Sequence, residues 1–156
     1  MFFLKALPTR AMIERYVDRD AGDDPAQVED ALQMMRSASL LLRKIERHFA
    51  SHGLSQLKFL VLIVIDREAR ETGLRHGEIH DRIDVSKPVL SRSLRALVER
   101  GFLSETSDPS DQRSLLLTIT PKGRDCLAAL LPEYFSIIHA HTRDDFPIGT
   151  ISSTAS

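Results

Sequence analysis

A mainly α-helical chain with one small β-hairpin is the fold class that the sequence predicts, on three observations. Apolar residues recur in alternating steps of three and four at Val28, Ala31, Met35, Ala38, Leu42, Ile45 and Phe49, which is a helical period. Residues 86–100 form a second helical pattern, in which Val89, Leu90, Leu94, Leu97 and Val98 make an apolar stripe while Lys87, Ser91, Arg92 and Arg95 occupy other faces. Two strand-like stretches, 102–105 and 114–119, then flank the turn-forming run Ser107-Asp108-Pro109-Ser110-Asp111-Gln112.

The remaining elements follow in order. A short leading helix is expected before Asp20-Ala21-Gly22-Asp23-Asp24-Pro25, whose residues supply turn geometry and helix caps. The long helix from Val28 carries a coiled-coil-like seam that reads equally as a core face or as a subunit interface, because Leu32, Leu40 and Leu41 widen the stripe. His52-Gly53 stops it, and Ser55 is placed to cap the next helix. Residues 57–65 are almost wholly apolar, so periodicity does not separate strand from helix; the helix formers from Asp66 to Glu71 decide for a helix. A helix of roughly two turns is expected over 76–83. Ser86 is placed to cap the polar-faced helix with Pro88 in its first turn, and Gly101 ends it. The loop at 107–112 is long for a minimal hairpin. Thr120-Pro121 opens a last helix through Leu127, Leu130, Leu131, Phe135 and Ile138, with Pro132 expected to bend it. Beyond Arg143 the pattern fades toward small polar residues and predicts a loose tail. The organisation is therefore an N-terminal segment and long helix (1–53), a central lobe (54–120), a C-terminal helix (121–143) and a tail (144–156).

Composition narrows the class. Across 156 residues, 42% are hydrophobic and 28% charged, values ordinary for soluble globular proteins, and no apolar run is long enough to predict a membrane span. The first eight residues lack the cation-first order of an export signal, and the single cysteine, Cys126, forms no internal disulfide; a cytoplasmic location is the expectation. The net charge of −1 argues against nucleic-acid binding by the whole surface, but the placement of cations matters more than their total. Residues 86–100 hold Lys87, Arg92, Arg95 and Arg100 against Glu99 alone, a local charge of +3.

A capped helix of about four turns, polar and cationic on the side away from its core, matches the width of the DNA major groove. The hairpin adds Arg113, a cation suited to the adjacent minor groove, with Asp111 two residues away to orient the guanidinium. A helix of this kind followed directly by a charged hairpin is the layout of a winged helix-turn-helix.

Over residues 54–131 the chain resembles the MarR family of bacterial transcription regulators. The resemblance rests on the helix expected over 74–83, the segment SKPVLSRSLRALVERGFL, the DPSDQR wing and the LLLTITPKG passage from strand to helix. It implies a homodimer of winged helix-turn-helix subunits with flanking dimerisation helices, cytoplasmic, binding a pseudo-palindromic operator on double-stranded DNA and often released by a small molecule. Ser86, Lys87, Ser91, Arg92 and Arg95 would face DNA, Arg113 would be the wing-tip arginine and Asp111 its orienting acid. A cleft receptive to a small aromatic or phenolic effector is also implied, with Arg43, Arg47, His48, Phe59 and Ile63 as candidate lining. Two departures stand out. Glu105 takes the place of a basic residue on the strand leading into the wing, and the tail does not look able to supply a closing dimer helix, a role that residues 7–18 are placed to assume.

Other chemistry fits less well. His76 and His80 share a helix face around Glu78, but the order H-G-E-I-H is not the metalloprotease pattern, and a solvated surface is the expectation in place of a metal site. Cys126 lies among Leu127, Ala128 and Leu130, a setting for an inert thiol and not for a redox sensor. No Gly-rich phosphate loop, nucleophile elbow or paired-carboxylate motif occurs, so no cofactor and no catalytic residue is expected. The reading is a DNA-binding regulator, acting as a repressor under ligand control, and not an enzyme. The alternative is a winged-helix protein-interaction module without DNA binding, favoured by Glu105 and the near-zero net charge.

Overall fold

The structure, a computed structural model, describes residues 6–16, 24–68 and 73–145, the side chains of Gln112, Arg113, Asp144 and Asp145 excepted. Its elements are α1 (Arg10–Ile13), α2 (Pro25–Ser51), α3 (Gln56–Glu68), β1 (Leu74–Arg75), α4 (His76–His80), α5 (Lys87–Glu99), β2 (Leu103–Asp108), β3 (Asp111–Ile119) and α6 (Pro121–Asp145). The three strands form one antiparallel sheet in the order β1-β3-β2. This is the helical class with a small sheet that the sequence predicts. No single described helix is long and apolar enough to cross a membrane.

Contacts group the chain into two units, residues 46–136 and, separately, residues 1–45 with 137–156. The divisions fall within α2 and α6, whereas the sequence placed them at the ends of these helices, at 53 and 120. In the central unit, Phe49, Phe59 and Tyr134 form an aromatic cluster, with the Phe49 and Phe59 rings stacked at 4.5 Å. Val61, Leu62, Ile65, Ile79, Leu90, Leu97 and Leu103, each at most 2% exposed, complete the core around Phe49 and Phe59, while Tyr134 is half-buried. Phe59, Val61, Leu62, Val64 and Ile65 of α3 are buried, whereas Leu60 is exposed and Leu57 and Ile63 are half-buried, so apolar residues stand on both the covered and the open face and the 57–65 run shows no helical period.

Local chemistry sets the ends of the elements. Asp24 Oδ1 accepts the Ala26 N–H at 2.9 Å at the start of α2, and the Ser55 hydroxyl accepts the Lys58 N–H at the start of α3. Gly53 and Gly101 take the left-handed conformation, at φ +67° and +72°, just beyond α2 and α5. Thr120 caps α6 by accepting the Gly123 N–H at 3.1 Å while its hydroxyl donates to the Gly101 carbonyl at 2.7 Å. Helix α6 runs on through Pro132.

Several expectations are corrected. Leu74 and Arg75 are a strand and not the start of a helix: Gly73, at φ +80°, turns the chain so that Leu74 pairs with Leu117 and Arg75 with Leu116. Helix α4 stops at His80, short of 83, and turns occupy the following residues. The hairpin arms are longer than expected, so only Pro109 and Ser110 separate β2 from β3. Ser86 holds the N-cap position of α5, yet its side chain makes no cap hydrogen bond; its carbonyl accepts from Val89 and Leu90. Helix α1 is one turn within the expected stretch 7–18, of which 17 and 18 lie outside the described residues. The expected tail beyond residue 145 lies outside them as well.

In the second unit the seam of α2 is mostly uncovered within one chain. Ile45 is buried, but Val28, Ala31, Met35, Ala38 and Leu42 are exposed, Met35 at 56% and Leu42 at 43%. The core-face reading of the seam thus holds only at its C-terminal end, where Phe49 is also buried. Ser37 and His141 are both buried and share a 2.9 Å hydrogen bond.

Gly123 marks the tightest backbone approach. A Cβ there would overlap the Phe102 carbonyl oxygen and lie 2.7 Å from Ile119 Cγ1. Gly123→Ala is therefore expected to cost about 1–3 kcal/mol, read as a lower urea midpoint at unchanged slope.

Candidate nucleic-acid interface

Helix α5 buries Leu90, Ser93, Leu94 and Leu97. At about 100° per residue, Lys87, Pro88, Ser91, Arg92 and Arg95 fall within an arc of about 140° on the other side. Lys87, Arg92 and Arg95 are exposed there, and Ser86 is exposed at the N-cap. Sequence-predicted residues Ser86, Lys87, Ser91, Arg92 and Arg95 are thus brought onto one end and one face of a single helix.

The face is more constrained than the sequence suggests. The Ser91 hydroxyl donates to the Lys87 carbonyl at 2.9 Å and lies 2.9 Å from His76 Nε2, so a half-buried His76 ties α4 to α5 where a solvated histidine was expected. Arg92 Nε reaches the Pro88 carbonyl at 3.4 Å, a long contact that leaves the guanidinium on the surface. Arg100, counted in the local charge of +3, is used elsewhere: it donates to the Gly53 carbonyl and sits 4.8 Å from the centre of the Phe102 ring. Lys122 takes the same ring at 5.2 Å and donates to the Arg100 carbonyl at 2.7 Å. The outward charge of α5 therefore comes from Lys87, Arg92 and Arg95.

The hairpin stands beside α5, and a groove of about 780 Å³ runs between them, lined by His76, Ser91, Arg95 and Glu99 on one side and Glu105, Ser114 and Leu115 on the other. Near the tip the register shifts: Ser107 pairs with Leu115 but Asp108 pairs with Asp111, so residues 112–114 bulge from β3 without partners on β2. Arg113 belongs to this bulge by its backbone, and its side chain lies outside the described residues. Asp111 is exposed and accepts a 2.8 Å hydrogen bond from the Ser114 hydroxyl. Glu105 is exposed on β2.

Sequence reasoning missed the group that holds this tip. Asp108 has a side chain only 5% exposed, and both of its carboxylate oxygens are engaged. Oδ1 accepts the Ser110 hydroxyl at 2.7 Å and the Ser110 N–H at 2.8 Å, while Oδ2 accepts Arg75 Nε at 2.7 Å and a second guanidinium nitrogen. The same guanidinium donates to the Ser110 hydroxyl at 2.9 Å. The Ser110 donors, with Arg75 adding to them, hold the Asp108 carboxyl at about 2, below its ordinary 3.8. In the sequence Asp108 is merely a turn former; its burial follows from β1, a strand too short to leave a pattern.

The five effector candidates do not line this groove or the cavities beneath the wing and along α2. Phe59 is 1% exposed in the ring cluster, His48 Nε2 contacts the Leu130 carbonyl at 3.1 Å, and Ile63 is half-buried. Arg43 and Arg47 are exposed on α2. His80 is half-buried, and among the described residues no cluster of three His, Cys, Asp or Glu side chains is placed to hold a metal ion. Burial raises the Cys126 thiol above its ordinary range against the opposing pull of Arg100 and Lys122, as suits an unreactive thiol.

Comparison with known proteins gives a consistent match. Residues 54–123 match the model of the winged helix DNA-binding domain. The chain is 29% identical over 137 residues to the transcriptional repressor YetL of Bacillus subtilis strain 168, an alignment spanning 88% of this chain and 81% of the relative. Its fold is similar to that of Sco3205, a MarR family regulator from Streptomyces coelicolor solved in complex with DNA (TM-score 0.65, 19% identity, 71% of this chain and 72% of the other). It is also similar to Bordetella bronchiseptica BpsR, whose DNA binding is regulated by 6-hydroxynicotinic acid (TM-score 0.61, 18% identity, 76% and 79%).

The Asp108 contacts carry a pH signature. A carboxyl depressed from 3.8 to about 2 stabilises the fold fully above its unfolded value and loses that contribution as pH falls through the folded one. Urea midpoints taken from roughly pH 5 to pH 2 are expected to fall less steeply for Asp108→Asn than for the wild type, with the two curves converging at the acid end.

Proposed function

We propose that the chain, similar as it is to winged helix transcription regulators of the MarR type, acts in the cytoplasm as a homodimeric repressor, placing α5 in the major groove of a pseudo-palindromic operator and Arg113 in the adjacent minor groove. The observation that carries this reading is the outward face of α5, where Lys87, Arg92 and Arg95 stand exposed opposite the buried Leu90, Leu94 and Leu97. Three cations on one exposed helix face next to a projecting hairpin match the negative surface of a duplex in sign and in shape. Asp111 orients Arg113 in this reading. Ser91, engaged by His76 and by the Lys87 carbonyl, serves as an acceptor more than as a free donor.

The uncovered seam of α2 supports the homodimer, because an apolar stripe at heptad spacing is the kind of surface that a second copy covers. Two recognition helices must then stand about 34 Å apart to meet successive major grooves on one face of DNA. An effector that changes this spacing alters affinity without touching a base. The regulation of BpsR by an aromatic acid supports a small aromatic effector for this chain as well. Residues 7–18 add to the dimer interface, a role supported by the way Leu7 joins Asp30, Gln33, Met34, Ser37 and Leu40 of α2 around a cavity of about 390 Å³.

The reading is tested by selecting genomic fragments on the immobilised protein and titrating the recovered duplex with salt between about 50 and 200 mM. Lys87→Ala, Arg92→Ala and Arg95→Ala are each expected to weaken binding and to lower the salt slope by about one. Retention of no duplex at low salt would leave the interaction module standing instead. In sedimentation, Met35→Asp combined with Leu42→Asp is expected to give monomers, and removal of residues 1–20 a weaker dimer; an unchanged dimer mass in the first case would place the interface elsewhere.

A further inference from the structure

We propose that Arg75 is a positioning residue for the wing, setting where the hairpin tip stands relative to α5 and so where the minor-groove contact falls; this rests on the DNA-binding reading above. Arg75 occupies the junction of three elements. Its backbone ends β1 and pairs with Leu116 of β3, its N–H donates to Glu78 Oε2 at 2.7 Å to cap α4, and its side chain reaches past β3 to Asp108 and Ser110 at the far end of β2. Helix α4 in turn holds α5 through His76 and Ser91. The Ser91–His76 hydrogen bond on the recognition face and the Arg75–Asp108 contacts at the wing tip are therefore joined through adjacent residues of one chain segment, with Arg75 at the junction.

The tip needs such a hold. Between Ser107 and Asp108 the ladder loses register, and residues 112–114, which include Arg113, have no partner on β2. A two-stranded ribbon that is bulged near its end gains little stiffness from its own hydrogen bonds. Asp108 is the last residue of β2 before the turn, and its buried carboxylate, with the Ser110 hydroxyl beside it, ties this end to Arg75 of β1. The planar fork of arginine suits the site, because two of its nitrogens reach the carboxylate while one of them also serves the Ser110 hydroxyl. A lysine offers one compact ammonium and cannot span both partners in that plane.

The test compares the wild type, Arg75→Ala, Arg75→Lys and Asp108→Asn in two measurements. In the DNA-free protein, amide hydrogen exchange is expected to rise roughly tenfold or more across residues 107–115 in Arg75→Ala and Asp108→Asn, less in Arg75→Lys, with α3 and α6 unchanged as the check on folding. In hydroxyl-radical footprints on the selected duplex, the same variants are expected to lose protection at the minor-groove flanks while keeping it where α5 lies. Unchanged exchange at the tip overturns the proposal whatever the DNA shows. Faster exchange with an intact or uniformly weakened footprint overturns it too, since Arg75 would then stabilise the hairpin or bind phosphate without aiming the wing. A wild-type chain that protects no duplex overturns the DNA reading and the proposal together, and is told apart by occurring before any substitution is made.

Discussion

Burial of Leu90, Leu94 and Leu97 fixes the rotation of α5 about its own axis. A helix turns about 100° per residue, so once three positions are committed to the core the direction of every other side chain is set within a few tens of degrees. Lys87, Arg92 and Arg95 face outward because the core leaves them nowhere else to go. Helices α3 and α4 and strand β2 are the surfaces that receive the buried stripe, and the aromatic cluster of Phe49, Phe59 and Tyr134 belongs to the same unit. The electrostatics of the surface are thus a by-product of apolar packing, which is why a chain of net charge −1 can present a cationic face.

A second layer of polar contacts refines that placement. Arg100 and Lys122 share the Phe102 ring and the backbone around it, joining the end of α5 to the turn at Gly53 and to the first turn of α6. Gly123 lets α6 approach the Phe102 carbonyl closely enough for Thr120 to cap the helix and hold the Gly101 carbonyl together. On the opposite side of α5, His76 binds Ser91, and Arg75 binds Asp108. Polar residues that look like surface charge in a composition count therefore act as fasteners.

Much of this was legible from the residues alone, and the reasons are local. Helical periods, glycines that stop α2 and α5, and the Ser55 and Thr120 caps depend on neighbours within four positions, so they leave a mark in the sequence. The apolar run of α3 was resolved by the helix formers that follow it. Contacts between distant segments were not legible. Strand β1 has only two residues, too few to alternate, and without it nothing marks Arg75 or the buried state of Asp108. Arg100 was counted with the outward cations because its partners, Gly53 and Phe102, meet it only through the fold. His76 was read as solvated since Ser91 lies fifteen positions away, beyond any helical repeat. The seam of α2 stayed ambiguous in the sequence for a different reason: the same apolar period serves a core or a partner, and the exposure of Met35 and Leu42 shows only that the chain's own core does not cover them.

The bulge and the two-residue turn also bear on what the sheet refuses. β2 is an outer strand, and β1 covers only two residues of β3, so most of the hairpin carries unpaired backbone donors and acceptors of the sort that recruit stray strands. Here the open edge is short and kinked, is followed by a proline without an N–H, and carries exposed Glu105, Thr106 and Ser107 in place of a flat apolar row. A strand from another molecule would find neither a straight ladder nor a greasy face to settle on. A charged and bulged edge of this kind disfavours strand addition from a neighbour, so a ribbon can stand open on one side without inviting edge-to-edge pairing.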